Sequence, residues 1–333
     1  MFTCERDITY ICVMTKSAQR KYEVFEQVLN GEVMNGIINI YKERGFTSHD
    51  VVAKLRGICH QRKIGHTGTL DPDATGVLPV CLGNATAVCD LLTDKSKEYE
   101  AVLLLGITTD TQDISGTTIE TNDVNLSEAD VISCIQGFAG EIEQIPPMYS
   151  AVKVNGKKLY ELARQGKEVE RKPRPVTIHS IEVLDMDLPR VSLKIHCSKG
   201  TYIRTLCHDI GRSLGCGGTM EELKRTRVGE FVISDSIPLG TVQEWADTGT
   251  LQEHLIPTDR VFAHHGSIRI EAGADRLLYN GNTFRRGDIA ELDPGNEASD
   301  RYRVYDSHGT FYGVYDLDNA RGIYKPFKMF IPG

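Results

Sequence analysis

The chain has 333 residues, 40% hydrophobic and 25% charged, with a formal net charge of -8. That balance is ordinary for a globular protein and excludes a wholly disordered, collagenous or coiled-coil chain. No apolar run approaches the roughly 18 residues of a membrane helix, and the N-terminus lacks the basic-then-apolar pattern of a secretory signal. At roughly 150 residues per domain, the length suggests two domains. Nine cysteines, an odd number set mostly among apolar neighbours, read as reduced core thiols and place the chain in a cytoplasm.

Residues 1–33 read as an appendage. A helix capped by Ser17 carries Tyr22, Phe25, Val28 and Leu29 on one face and ends at Gly31. Met34 then opens a strand-like run, Gly36 to Ile40, and is a plausible true start. Ser48 is the expected N-cap of a helix with Val51, Val52, Leu55 and Ile58 at helical spacing. A Gly- and Thr-rich loop runs from Gly65 to Gly76. Asn84 to Thr93 reads as helix, Tyr99 to Ile107 as strand and Thr108 to Gly116 as a polar turn region. Ser127 caps a helix reaching Phe138. Val176 to Leu184 and Val191 to Cys197 read as paired strands, and Tyr202 to Leu214 as a helix stopped by Gly215. Short strand-like pieces from Ser267 to Ile331 suggest a small β-rich unit. Strands and helices interleave without a regular βαβ period, so the expected fold class is α+β. The expected division is an extension over 1–33, a catalytic domain over 34–249 with a basic insertion at 153–174, and a C-terminal domain over 250–333.

Charge is unevenly spread. Lys153 to Arg174 holds eight basic residues against three acids, and Arg190 to Arg227 again eight against three, whereas acids dominate between Asp288 and Asp318. These segments either steer an anionic partner or are solvated faces. His196-Cys197 and Cys207-His208 match no common zinc spacing and read as strand and helix residues.

The most informative segment is Lys63 to Pro79, in which glycines flank one Asp71-Pro72 step. Pro72 removes an amide donor and biases Asp71 away from helix. From the residues alone, this is either a carboxylate presented on a stiff loop or an Asx turn.

Gly65-His66-Thr67-Gly68-Thr69-Leu70-Asp71-Pro72-Asp73-Ala74-Thr75-Gly76-Val77-Leu78-Pro79 resembles the nucleophile motif of the TruB-type tRNA pseudouridine synthases. Gly45 to Asp50, Lys97-Glu98-Tyr99, Thr109 to Asp113, Gln144 to Ala151, Cys197 to Leu206 and Leu223 to Gly229 resemble further motifs of that family, in order. The resemblance is dense from Met34 to about Phe231. It implies a pseudouridine-synthase catalytic domain with a mixed, mainly antiparallel sheet and flanking helices. A small PUA-like domain, as in bacterial members, would follow and bind RNA.

The implied reaction is isomerisation of uridine 55, in the T-loop of tRNA, to pseudouridine. The base is flipped out, and no cofactor or metal is required. By the same resemblance, Asp71 acts at the ribose and Arg204 is its partner. Tyr99 covers the target uracil, Tyr202 and Leu223 are further pocket walls, and His66 packs on nucleotides beside the flipped base. Lys153, Lys157, Lys158 and Arg171 belong to a mobile insertion that grips the tRNA T-arm. Asp73 receives no chemistry. No membrane and no obligatory protein partner are expected.

Two departures stand out: residues 1–33 have no counterpart, and Tyr41-Lys42-Glu43 replaces the family's Asp-Lys-Pro, which is expected to alter only a surface turn. The competing readings are an RNA-binding protein without catalysis, a synthase guided by a partner RNA, and a phosphate-handling enzyme. The last lacks the GxxxxGK[ST] signature.

Overall fold

The structure is a computed structural model that describes residues 33–331, apart from residue 155 and residues 296–299. The helix expected between Ser17 and Gly31 lies outside the described residues.

Strands β1 (Gly36–Lys42), β2 (Ile64–His66), β3 (Thr75–Leu82) and β4 (Lys97–Leu105) come first. A side hairpin, β5 (Ile107–Thr109) with β6 (Thr118–Thr121), follows, then β7 (Gly140–Gln144) and the two-residue strands β8 (Lys153–Val154) and β9 (Lys157–Lys158). Next are β10 (Arg174–Asp187), β11 (Arg190–Cys197), β12 (Gly218–Val228) and β13 (Phe231–Val232). The main sheet has nine strands in the order β1-β3-β12-β4-β11-β10-β7, with β2 on β3 and β13 on β12. All its pairs are antiparallel except β3 with β12, where Lys224 faces Thr75 and Arg225 faces Gly76. A second sheet of six strands holds β14 (Gly266–Ile270), β15 (Phe284–Arg285), β16 (Ile289–Asp293), β17 (Arg301–Tyr305), β18 (Phe311–Asp318) and β19 (Ile323–Met329). The expected α+β class with a mixed, mainly antiparallel sheet is what the molecule shows.

Three apolar clusters hold the main sheet. Helices Glu128–Gln136 and Ile203–Ser213 cover β4, β10 and β11, burying Val131, Ile135, Leu206 and Ile210 against Leu103, Ile178, Leu193 and Ile195. Helices Ser48–Ile58 and Leu239–Asp247 cover β1 and β3. In the third cluster, Phe262, Val314 and Phe330 pack on Ile37, Cys81, Ala85 and Val88, which seats the six-stranded sheet on the main one. Leu251 and Leu255 belong to the second cluster, and Ile37 and Ile256 exchange backbone hydrogen bonds at 2.8 Å. A cut at residue 250 therefore falls inside packed structure.

Several local expectations shift. Thr47, not Ser48, caps the first described helix, because Asp50 stands three residues on and closes a reciprocal capping box. Ser48 is instead buried, and its hydroxyl accepts from Leu70 N at 2.9 Å. The segment read as a helix from Asn84 to Thr93 begins as a 3-10 helix, Gly83–Val88, and becomes α-helical only over Cys89–Thr93. The strand expected over Tyr99 to Ile107 starts at Lys97 and breaks at Gly106, where φ is +86° and a Cβ would stand 2.8 Å from the Asn122 carbonyl oxygen.

In Tyr41-Lys42-Glu43 the two departing residues are half-buried and exposed, whereas the lysine between them is part of the interior. Lys42 is fully buried, and its ammonium donates to the carbonyls of Ala74 (2.6 Å), Pro72 (3.0 Å) and Glu43 (3.0 Å). The turn thus includes a buried clamp on the loop that carries Asp71. Burial pulls this ammonium down to about 8, with Asp71 and Asp73 opposing. Lys42→Met keeps the stem but removes a donor from three carbonyls; that of Pro72 keeps the Gly45 amide and that of Glu43 belongs to an exposed residue, so the buried Ala74 carbonyl carries the cost, roughly 1–3 kcal/mol for a group left unpaired. Urea unfolding should show a loss of about 2 kcal/mol, and a loss below about 0.5 kcal/mol would mean that the loop holds itself.

Candidate active site

The loop between β2 and β3 is fixed by its neighbours more than by itself. The Thr67 amide bonds the Pro79 carbonyl, the Gly45 amide bonds that of Pro72, and the Ala74 amide bonds that of Asp71. Arg225, buried on β12, sends Nε to the Val77 carbonyl (2.8 Å), Nη2 to Gly68 (3.3 Å) and Nη1 to Thr69 (3.5 Å). This approach requires a glycine at position 76: its φ is +104°, and a Cβ there would stand 2.2 Å from the Arg225 carbonyl oxygen. Lys42 grips one end of the Asp71 turn and Arg225 the strand beneath it.

The Asp71 side chain does not close an Asx turn; the turn at Asp71–Ala74 is made by backbone alone. Its carboxylate faces Arg204, with Nε 3.0 Å from Oδ2 and Nη2 3.3 Å from Oδ1. Two-point contact of this kind fixes the plane of a carboxylate as well as its position. Arg204 is the second residue of helix Ile203–Ser213, and its other donors are also engaged. Nη2 reaches the Tyr149 carbonyl (2.8 Å), and Nη1 reaches the Thr111 carbonyl (3.2 Å) and Asp113 Oδ2 (3.4 Å). The arginine side chain is 6% exposed, that of Asp113 14% and that of Asp71 37%. Asp71 is therefore the open end of an otherwise enclosed Asp-Arg-Asp chain. Burial pushes its carboxyl above the ordinary 3.8; Arg204 and Lys42 oppose that push, and Asp113 adds to it.

Tyr99 stands opposite Arg225 in the β4–β12 register, and the two side chains influence each other's ionisation. Burial pushes the Tyr99 hydroxyl up to about 12, against the pull of Arg225. The phenol therefore remains protonated at neutral pH. Tyr99 packs with Leu70 and Ile203, and Leu223 lies against the same cluster. Leu223 also lines a cavity of about 210 Å³ with Arg44, Glu100 and Lys224, to which Asp71, Tyr99 and Arg204 do not contribute. Tyr202 precedes the Arg204 helix, and the Gln144 amide clamps its backbone on both sides, accepting from Tyr202 N (3.0 Å) and donating to its carbonyl (3.2 Å). His66 Nδ1 accepts from Gly68 N (3.3 Å), which leaves the proton on Nε2. Its ring meets that of His49 edge-on at 5.4 Å. Burial first, then His49 and Arg225, lower its basicity.

Of the residues singled out in the sequence, Asp71 and Arg204 are in direct contact, Tyr99 and Leu223 belong to the apolar cluster beside them, and His66 stands at the other end of the Asp71 loop. Sequence reasoning missed Lys42, Arg225 and Asp113. The signals were present, since Lys42 sits in the departing motif, Arg225 in Leu223 to Gly229 and Asp113 in Thr109 to Asp113. A buried cation held by carbonyls has no pattern of its own in a sequence.

The four residues expected to touch RNA lie on the excursion between β7 and β10. Lys153 and Lys157 are exposed. Lys158 lies over the Tyr160 ring, 5.3 Å from its centre, and donates to its hydroxyl. Arg171 is turned inward, onto the Pro146 carbonyl and Glu168. Among the described residues, no cluster of three or more His, Cys, Asp or Glu is arranged to hold a metal, and no helix is long and apolar enough to cross a membrane.

The chain has counterparts among known proteins. A model of the TruB family pseudouridylate synthase N-terminal domain matches residues 56–203, and one of the tRNA pseudouridylate synthase B C-terminal domain matches residues 204–263. A protein of Lachnoclostridium phytofermentans named tRNA pseudouridine synthase B is 50% identical over 307 residues, covering 90% of this chain and 100% of that relative. One of the same name from Clostridium kluyveri is 47% identical, again over 90% of this chain and 100% of the relative. A chain in a solved H/ACA ribonucleoprotein, bound to a substrate RNA containing 2'-deoxyuridine, superposes with a TM-score of 0.67 at 26% identity. That match covers 91% of this chain and 87% of the other. The chain belongs to the TruB family of pseudouridylate synthases.

Proposed function

We propose that this enzyme isomerises uridine 55, in the T-loop of tRNA, to pseudouridine, with Asp71 as the catalytic carboxylate and no cofactor. The observation that carries the assignment is the open carboxylate of Asp71, fixed at two points by a buried arginine. The relatives at 50% and 47% identity are named for tRNA, whereas the H/ACA chain is 26% identical. That contrast favours free tRNA over a substrate presented by a guide RNA.

In the proposed reaction, the bond from the ribose to N1 of uracil breaks, the detached base turns, and the ribose bonds to C5. C5 loses a proton and N1 gains one, so atoms and electrons balance within the substrate. Asp71 acts at the ribose and must be ionised to do so. Arg204 favours that state, and burial makes the carboxylate a stronger base than it would be in water. Tyr99 and Leu223 offer apolar wall to an extruded base, which must recover the stacking it gave up when it left its neighbours. The Tyr99 phenol, protonated at neutral pH, offers a hydrogen-bond donor beside the base. Lys153 and Lys157, which are exposed, would meet phosphates in this reading, positioning RNA without reading sequence.

Asp71→Asn keeps volume and removes charge. It should bind tRNA nearly as well as wild type and form no pseudouridine; measurable turnover would remove Asp71 from the chemistry. With saturating enzyme, the wild-type single-turnover rate should fall with acidity through a midpoint above 3.8, because the active form is the carboxylate and its proton is held more tightly than usual. A midpoint at or below 3.8 would contradict this.

Tyr99→Phe should slow turnover by roughly 10²–10⁴-fold if its hydroxyl moves a proton. A Phe variant as fast as wild type would sink the proton-transfer role. For RNA binding, Lys153→Ala combined with Lys157→Ala should reduce the log-log salt slope of tRNA affinity by roughly 1–2 units, at about 0.7–0.9 per phosphate contact. An unchanged slope would make this a solvated face.

A further inference from the structure

Between Gln144 and Arg174, which face each other at the end of the β7–β10 ladder, the chain leaves the sheet and returns. The near part of this excursion is held by backbone: the Leu159 amide bonds the Val152 carbonyl (2.8 Å), the Tyr160 amide bonds that of Ser150 (3.1 Å), and the Leu159 side chain is fully buried. The returning part is held differently. Arg171 donates from Nη1 to the Pro146 carbonyl (3.2 Å) and from Nη2 to Glu168 (2.9 Å), and its buried Nε has no partner. Its side chain is 20% exposed. An arginine serving only as a solvated phosphate contact would not be folded back into the protein with one donor unsatisfied.

What it grips reaches the active site. The segment from Gln144 to Ser150 begins with the clamp on Tyr202, and its Tyr149 carbonyl accepts the same Arg204 Nη2 that contacts Asp71. Between those points stand Pro146 and Pro147, which have no N–H with which to anchor themselves. External donors must hold that stretch, and Arg171 supplies one at its centre.

We propose that Arg171 is a positioning residue: by pinning Pro146 at the neck of the basic insertion, it keeps the Tyr149 carbonyl on Arg204 and so keeps Arg204 aimed at Asp71. The proposal rests on the synthase reading above. It makes the RNA-gripping insertion and the catalytic carboxylate parts of one mechanical unit. If the neck loosens, Arg204 Nη2 loses its carbonyl, and the guanidinium is free to tip toward Asp113.

The test compares wild type, Arg171→Ala and Arg171→Lys on one unmodified tRNA, by dissociation constant, single-turnover rate at saturating enzyme, the acid limb of that rate, and melting. Arg171→Ala should slow the saturating rate by roughly 10–100-fold, the scale on which small misplacements act. The dissociation constant should stay within about threefold. The acid limb should move to higher pH, because Asp71 loses support for its charged form. Lysine keeps the charge but not the planar fork, so Arg171→Lys should fall between the two. Weaker binding with the saturating rate and acid limb unchanged would make Arg171 a phosphate contact and overturn the proposal, as would an alanine variant matching wild type throughout. Should the alanine variant melt below the assay temperature, Arg171→Lys decides alone: a wild-type rate and acid limb overturn the proposal. An inactive wild type on this tRNA would sink the underlying reading instead.

Discussion

The structure turns on keeping one carboxylate charged and aimed while most of its surroundings are protein. Removing a charge from water costs several kcal/mol unless neighbours replace the missing solvation. Asp71 has one direct partner, the two-point contact with Arg204, and a solvent-facing side. Two other buried cations, Lys42 and Arg225, contact the carbonyl oxygens of the loop itself. Their contribution is geometric first: the loop carrying Asp71 is held from both sides by donors that approach only if it keeps this path.

Topology makes those contacts available. The single parallel pair in the main sheet, β3 with β12, brings Arg225 across from Gly76, and the antiparallel pair of β12 with β4 brings Arg225 across from Tyr99. One arginine therefore bonds the loop carbonyls while standing across the sheet from the tyrosine. Helix Ile203–Ser213, packed on the sheet through Leu206 and Ile210, fixes where Arg204 begins. A helix start is a stiff place for a side chain that must reach Asp71, Asp113 and two backbone carbonyls together. The backbone clamp of Gln144 on Tyr202 secures the residue just before it.

Much of this was legible in the sequence, and what was not has a physical pattern. Periodicity locates the helix with Val51, Val52 and Leu55, the paired strands β10 and β11, and the helix that starts beside Tyr202, because each buries one face. The cap at Thr47 is missed by one residue because Thr47 and Ser48 are chemically equivalent caps; only the reach of Asp50 separates them. Motif resemblance places Asp71 and Arg204 near each other across 133 residues of chain, which local propensity could not have done. The roles of Lys42 and Arg225 are illegible because their acceptors are backbone carbonyls, and every residue has one. Charge makes Arg171 look like a phosphate contact, but charge counting does not record which way a side chain points.

The choice of partners for the buried cations also bears on the electrostatics at Asp71. Had Lys42 and Arg225 been neutralised by carboxylates, those negative charges would have added to the burial that already raises the Asp71 pKa. Carbonyl dipoles satisfy the donors without cancelling the net charge, so a positive potential remains in the loop. The effect on Asp71 is visible for Lys42, which pulls against burial, and for Arg204, which pulls harder. Asp113 works the other way, since it shares Arg204 and pushes the Asp71 carboxyl up. The carboxylate is thus set between two tendencies. Too little desolvation would leave it as weak a base as any surface aspartate, and too little positive potential would leave it protonated. A loop held by uncompensated cations, with one second carboxylate on the shared arginine, meets both demands within a single network.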